Sequence, residues 1–405
     1  MRKRTQCLSS SPGFTLVELI VTMAVFITVL MIAASAFNTI VTNASKYSKF
    51  EESNIEGMIG LEMMRHDLEQ MGFGLPWGVG SSISYEESAQ SNSIMNDEPS
   101  GVPRPFVGYI NYSSAVIGVK ASSVGINKAS QNWTYIPFEN YSAVIHESRP
   151  VNLGSNTPKT GDEVIALLTS FNSYSTASLR QKSAEEFSFD YKVSGLDSAF
   201  IPKGDQDTVF VYGIAPKDTT LRMPFNRADF FVKKSTATPS FCAPGTGVLH
   251  KGVVNHGGGG YTPIPLLDCV ASMQVVLGWS SNTGTGNIQD SIRTYSSLPL
   301  VSSGDVVTIG TGAATPIDAL DIKQWFVDKD AKRIREQLKM VKVYVLAQEG
   351  RRDPGYTYPD ASIVIGGTGE AALTRTYNFT AEQRHYRWKI YKIIVKPKNL
   401  ASNQR

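Results

Sequence analysis

Between Phe14 and Phe37 the chain is an apolar run that carries a single charged residue, Glu18. A run of about 20 apolar residues crosses a bilayer as a helix, so residues 14–37 are expected to form a transmembrane helix. Past Phe37 the pattern becomes periodic. Ile55, Met58, Leu61, Met64, Leu68 and Met71 recur at steps of three and four, with Glu51, Glu52, Glu56, Glu62, Arg65, Asp67 and Glu69 among the positions between them. Residues 38–73 therefore read as an amphipathic continuation of the same helix, with that stripe laid against a sheet. Gly72, Gly74 and Pro76 stop it. Unbroken from Phe14 to Met71, the helix would be about 85 Å long. Gly57 and Gly60 are expected to weaken it by about 1 kcal/mol each relative to alanine.

From Gly74 onward the period shortens to two, and Ser, Thr, Asn, Gly and aromatic residues become frequent. Strands are expected at Ala115–Val119, Glu163–Leu168, Thr208–Ile214, Ala228–Val232, Ser272–Leu277, Val341–Ala347 and Lys389–Val395. In the sixth of these, Val341, Val343 and Val345 alternate with Lys342, Tyr344 and Leu346. Asp328–Met340 reads as a short helix ahead of its strand. Ser81–Pro105, Ser235–Pro265 and Ser280–Thr315 read as long loops or insertions. The fold class is α+β: a long N-terminal transmembrane and stalk helix packed on an antiparallel β-sheet head. Residues 74–405 are long enough for one large β-rich extracytoplasmic domain or two lobes.

The segment ahead of the apolar run changes that picture. Arg2, Lys3 and Arg4 precede Gly13. The apolar region follows the glycine, and no small-x-small site closes it, unlike a secretory signal. The three positive charges suit retention of the N-terminus in the cytoplasm. Cleavage after Gly13 would place the new amino group of Phe14 about one helical turn from Glu18, where the two charges can neutralise each other in a packed, low-dielectric core. An ordinary single-pass anchor with an incidental acid is the plainer reading of the same residues.

Charge then excludes one class. The chain holds 39 Lys and Arg against 36 Asp and Glu, and three of those bases lie ahead of Gly13. The cut chain would be formally neutral, and no nucleic-acid partner is expected. A cut after Gly13 would also remove Cys7. Cys242 and Cys269 remain, and in an oxidising compartment a lone pair most simply forms one disulfide, worth about 3 kcal/mol. Two buried free thiols are the other reading.

Gly13-Phe14-Thr15-Leu16-Val17-Glu18-Leu19-Ile20 resembles the class III signal of type IV pilins and type II secretion pseudopilins. The resemblance implies that prepilin peptidase cuts after Gly13 within a leader of residues 1–13, and that Phe14 becomes N-methylphenylalanine. It implies that Glu18 pairs with a neighbouring subunit's amino terminus. The head would be a pilin-like fold with large insertions. The helix-kinking proline of many major pilins is missing between Phe14 and Pro76. Three further segments are similar to PilW-type minor pilins: Met64–Gly74, Leu266–Val275 and Tyr386–Val395. The second is also similar to the central strand of J-type pseudopilins. Lys396-Pro397-Lys398-Asn399 stands where PilW proteins usually end in Arg-Asn.

The resemblance implies a minor pilin held in the inner membrane, then drawn at low copy to a fibre tip to prime assembly and support adhesion or motility. Its partners would be other minor pilins, the major pilin, prepilin peptidase, the inner-membrane assembly platform, a tip adhesin and, before assembly, membrane lipid. A J-type pseudopilin of a type II secretion system is the first alternative. A membrane-anchored extracytoplasmic enzyme is the second, but catalytic signatures are missing. Gly257–Gly260 lacks the Lys-Ser/Thr end of a phosphate loop, and no Gly-x-Ser-x-Gly occurs. His250 and His256 beside that glycine run read as solvated more readily than as metal ligands. Asp205 and Asp207 read as a polar turn more readily than as a calcium site. No metal and no cofactor are expected.

Overall fold

The structure is a computed structural model that describes residues 13, 15–80, 83–111, 114–138, 149–170, 177–183, 186–235, 238–282, 288–299, 309–311, 319–367 and 373–400. In chain order its elements are α1 (Leu16–Gln70), β1 (Phe106–Asn111), β2 (Ser114–Ala121), β3 (Trp133–Pro137), β4 (Glu163–Ser170), β5 (Ser178–Leu179), β6 (Ser188–Asp190), β7 (Asp207–Ala215), β8 (Asn226–Lys233), β9 (Gly247–Val254), β10 (Tyr261–Asn282), β11 (Ile288–Ser297), β12 (Ile309–Thr311), α2 (Ala319–Val327), α3 (Ala331–Gln337), β13 (Leu338–Glu349), β14 (Ser362–Ile365), β15 (Arg375–Asn378) and β16 (Arg387–Val395). The layout is α+β, and among the described residues every strand pairing is antiparallel apart from one isolated bridge, Gly78 to Ser178. The chain divides into two compact units, Met1–Ser53 and Asn54–Arg405.

Nine strands form the main sheet in the order β1-β2-β8-β9-β10-β11-β12, with β13 on β10 and β16 on β13. The 22-residue β10 is its centre. Its first half pairs with β9, its second half with β11, and β13 joins from Val270 onward. One sheet face packs on the second half of α1 through Leu61, Met64, Leu68 and Met71, which meet Ile117, Phe230, Leu249 and Val270 in one core. The opposite face packs Tyr344, Leu346 and Trp388 under Ile365 of the β14–β15 hairpin. A separate five-stranded sheet, β3-β7-β4-β5 with β6 also on β4, has cores on both faces.

All seven expected strands fall inside observed ones, because their alternating side chains serve two different cores. Two expected loops are corrected. Ser235–Pro265 contains all of β9 and the start of β10, and Ser280–Thr315 contains β11 and β12. Prolines normally argue against a central strand. Pro263 and Pro265 are accommodated because β10 is paired only with β9 over that half. The helix expected over Asp328–Met340 is shorter. Asp330 caps α3 through the Arg333 amide, 2.9 Å away, and β13 begins at Leu338.

The expected stripe on α1 also shifts. Ile55 and Met58 are more than half exposed, while Gly57 and Gly60 face the sheet and are buried. A Cβ on Gly60 would stand 1.9 Å from the Leu266 carbonyl oxygen, and one on Gly57 2.7 Å from the Leu267 side chain. These glycines allow helix and strand backbones to touch. They are a docking surface, not only the weak points that propensity suggests.

The segment Ser81–Pro105 contains no strand among its described residues, but it is not a loose loop. Glu87 and Asp97 reach under it to Lys120 on β2, at 2.7 and 2.6 Å, and Glu87 also meets Arg227 on β8 at 2.7 Å. Asp97 holds Arg104 at 2.5 Å, and Asp229 holds Arg227 at 2.8 Å. All six side chains are buried. Burial alone would raise the Asp97 carboxyl, but Lys120 and Arg104 outweigh it and keep it below the usual range. Burial pushes Lys120 down, opposed by Asp97 and Glu87.

Candidate functional site: an apolar helix with one acid

The first turn of α1 positions the acid that stands out in the sequence. Glu18 Oε2 accepts hydrogen bonds from the Thr15 amide and the Thr15 hydroxyl, both at 2.9 Å, and the Glu18 amide donates to Thr15 Oγ1 at 3.4 Å. Leu16 begins the helix, so Thr15 and Glu18 occupy the positions of a reciprocal capping box. The Thr-x-x-Glu spacing that forms it was visible in the sequence and is a local role for Glu18 that the charge-pair reading overlooks. Both bonds end on one carboxylate oxygen. Gly13 is exposed. Phe14, the expected partner of Glu18, lies outside the described residues, as do Cys7 and the three leader bases.

Residues Leu16–Ser45 form one helical span with a mean hydropathy of 2.6 and no buried residue. It is long and apolar enough to cross a membrane. A helix that is apolar all round and exposed all round is not the core helix of a soluble domain. Its few hydroxyls turn back onto the helix. Thr22, Thr28, Thr39 and Thr42 donate to the carbonyls of Leu19, Val25, Ser35 and Asn38 at 2.8 to 3.0 Å. Those four threonine hydroxyls then need no water in an apolar medium.

The far end of α1 is tied down by distant residues. Lys398 Nζ meets Glu69 at 2.7 Å, the Lys398 amide donates to the Glu69 carbonyl at 3.1 Å, and Asn399 Nδ2 donates to the Gln70 carbonyl at 3.3 Å. Asp67, facing the sheet, pairs with Lys251 of β9 at 2.6 Å. Gly72, at φ +82°, turns the chain out of the helix, and its amide donates to the Lys120 carbonyl.

The sulfurs of Cys242 and Cys269 stand 2.02 Å apart, the distance of a disulfide, across 27 positions of sequence. Cys269 has φ +55° and lies where the register of β10 slips against β9. The same irregularity that interrupts the ladder brings its sulfur to the Cys242 loop. Ala243 beside it donates to Gln348 Oε1 at 2.6 Å, which fastens the loop to β13.

The two histidines are not solvated as expected. His256 Nδ1 accepts the Arg222 amide at 3.3 Å, so Nε2 carries the proton and donates to Asn226 Oδ1 at 3.2 Å. Burial pushes its pKa down to about 4. His250 is half-buried and stacks on Phe231. Asp207 accepts the Lys203 and Gly204 amides at 3.3 and 3.2 Å, closing the turn ahead of β7. Among the described residues no group of three His, Cys, Asp or Glu comes together as a metal site would require. Within the Tyr386–Val395 segment, Arg387 of β16 pairs with Asp353, and Trp388 is buried.

No family model, no curated protein and no solved structure matches the chain.

Proposed function

We propose that the chain is a PilW-like minor pilin of a type IV pilus. Prepilin peptidase would cut it after Gly13 and methylate Phe14, and the inner membrane would hold it by α1 with its head in the periplasm. The assembly platform would then draw it into a fibre beside other minor pilins and the major pilin. The observation that carries the reading is one carboxylate, Glu18, at the start of a fully exposed apolar helix that follows Gly13 by three residues. Such an acid calls for a cation in any apolar packing. The Thr15 cap satisfies one oxygen and leaves capacity for an amino group. The head joined to the helix is large, which suits a low-copy place at a tip, where crowding between neighbours is least and an adhesin can be presented.

The test is a clean deletion scored for surface fibres and for secreted proteins. Loss of fibres with a normal set of secreted proteins is expected. Normal fibres with stalled secretion would move the chain to the J-type position of a type II secretion pseudopilus. Mass spectrometry of the stable protein should find methylated Phe14 at its start, and an intact leader would refute the processing.

A further inference from the structure

One strand of the head holds a conformation that its own residues do not favour. Among the described residues three other than glycine lie at positive φ, and two of them, Asp218 and Lys329, do so in turns. Cys269, at φ +55°, does so inside β10. An L side chain stays in that region only where its surroundings impose it. The register of β10 slips three times nearby: between Pro265 and Leu267 and between Leu267 and Val270 against β9, and between Val270 and Ser272 against β13. Cys269 lies in the middle slip. These slips seat α1. Leu266 and Leu267 are consecutive and both buried, which regular alternation forbids. Leu266 lies against Gly60 and Leu267 against Gly57.

The loop that carries Cys242 is itself held fast. Ala243 donates to Gln348 Oε1 at 2.6 Å, Gln348 Nε2 donates to the Phe241 carbonyl at 3.1 Å, and Gln383 Nε2 donates to the Pro244 carbonyl at 2.8 Å. The disulfide carries that anchorage across to Cys269. Without it, Cys269 is free to relax toward ordinary extended backbone, which removes one slip and turns one half of the strand over. The half from Val270 onward is held by β13 and, from Val276, by β11, whereas residues 261–267 pair with β9 alone. The first half is therefore the one to move. A one-residue slip would turn Pro263 and Pro265 toward β9, where a ladder needs amide hydrogens. Instead of pairing again, this half leaves β9 and takes Leu266 and Leu267 away from α1.

We infer that Cys242 and Cys269 form a redox latch: the disulfide holds α1 against β10 at Gly57 and Gly60, and the dithiol lets that stretch go. The end of α1 stays fastened in both states by Lys398 and Asn399. Closing the latch joins the two sulfurs, releases two protons and passes two electrons to an acceptor disulfide, which leaves as two thiols. The latch involves neither leader cleavage nor Glu18, so it and the pilin reading can each fail alone.

The experiment uses the full chain with Cys7→Ser in nonionic detergent, as the disulfide and as the dithiol obtained by refolding under a phosphine reductant. Hydrogen exchange read by mass spectrometry compares the two. In the dithiol the amides of residues 57–61, 249–254 and 261–267 are expected to exchange about tenfold faster, while those of β13 and β16 keep their protection. Oxidised glutathione should restore the slow exchange. Failure to restore it would overturn the latch, as would equal protection in both states. Faster exchange across the whole sheet, β13 and β16 included, would do the same, since it leaves the disulfide as a general brace. Two variants without the crosslink test the cause. Cys242→Ser with Cys269→Ser should behave as the dithiol. Cys242→Ser with Cys269→Gly should recover most of the lost protection, because glycine takes positive φ at no steric cost. Equal exchange in the two variants would overturn the role given to the Cys269 backbone.

Discussion

Glu18 and the clamp under residues 83–104 solve the same electrostatic problem in opposite ways. The clamp removes three acids and three bases from water together, and each acid meets a cation within 2.8 Å. Glu18 lies in an apolar span with no cation among the described residues, and its bonds come from one threonine. Charges buried on folding must find their partners in the same chain. A charge left on an exposed apolar helix can wait for a partner supplied by assembly. The clamp is therefore a property of the fold, and on the proposed reading Glu18 belongs to what the fold joins.

The largest test of this contrast removes one partner from the clamp. Lys120→Met leaves Glu87 and Asp97 short of a cation in a dry site and should cost about 3–5 kcal/mol, read as a lower unfolding midpoint in denaturant. A smaller loss would mean that water reaches the clamp. Acidification comes next. His256 has its folded pKa depressed to about 4 by burial, while an unfolded histidine titrates near 6.5. Between those values the unfolded chain binds more protons, so stability is full above about pH 6.5 and falls as the pH drops toward 4. The loss from this group approaches about 3 kcal/mol. Asp97, held low by its bases, stays charged through that window. His256→Gln should flatten the profile between pH 6.5 and 4, and an unchanged profile would assign the loss elsewhere.

Gly60→Ala is a test of sign. Helix propensity alone predicts a gain of about 1 kcal/mol. The new methyl would instead strike the Leu266 carbonyl, and a net loss of about 2 kcal/mol is expected from thermal unfolding. A gain would mean that helix and strand are not in contact. The smallest effect on the head is expected from Glu18→Ala. It should leave the head's melting temperature and membrane insertion unchanged and still reduce incorporation into fibres. Normal incorporation would remove the pairing role.

The parts of this fold that were legible are those in which one local pattern serves one face. The strands β2, β4, β7, β8, β13 and β16 announced themselves by alternation. The apolar helix announced itself by length. β9 and the start of β10 were hidden by Gly257–Gly260, Pro263 and Pro265, because their tolerance depends on which side of the strand is paired, and that is a tertiary fact. The clamp was hidden for a related reason. Glu87 meets Lys120 33 positions away and Arg227 140 positions away. The sites divide the same way. Gly13 and Glu18 stood out from neighbours in sequence, whereas Asp67 needed Lys251 from another element. The stripe on α1 was misplaced because periodicity counts apolar residues. The face that docks is partly made of glycine.

The contact of Lys398 and Asn399 with the end of α1 spans 329 positions. The helix that enters the head first is fastened by residues that follow its last described strand. Closing so long a loop is slow, so the second half of α1 is expected to wait, apolar and acidic, while the whole sheet is laid down strand by strand. A chain stopped short of β16 would contain almost every residue of the head and still lack its final fastening. Arrival of the segment that follows β16 is then the event that closes this fold over its first helix.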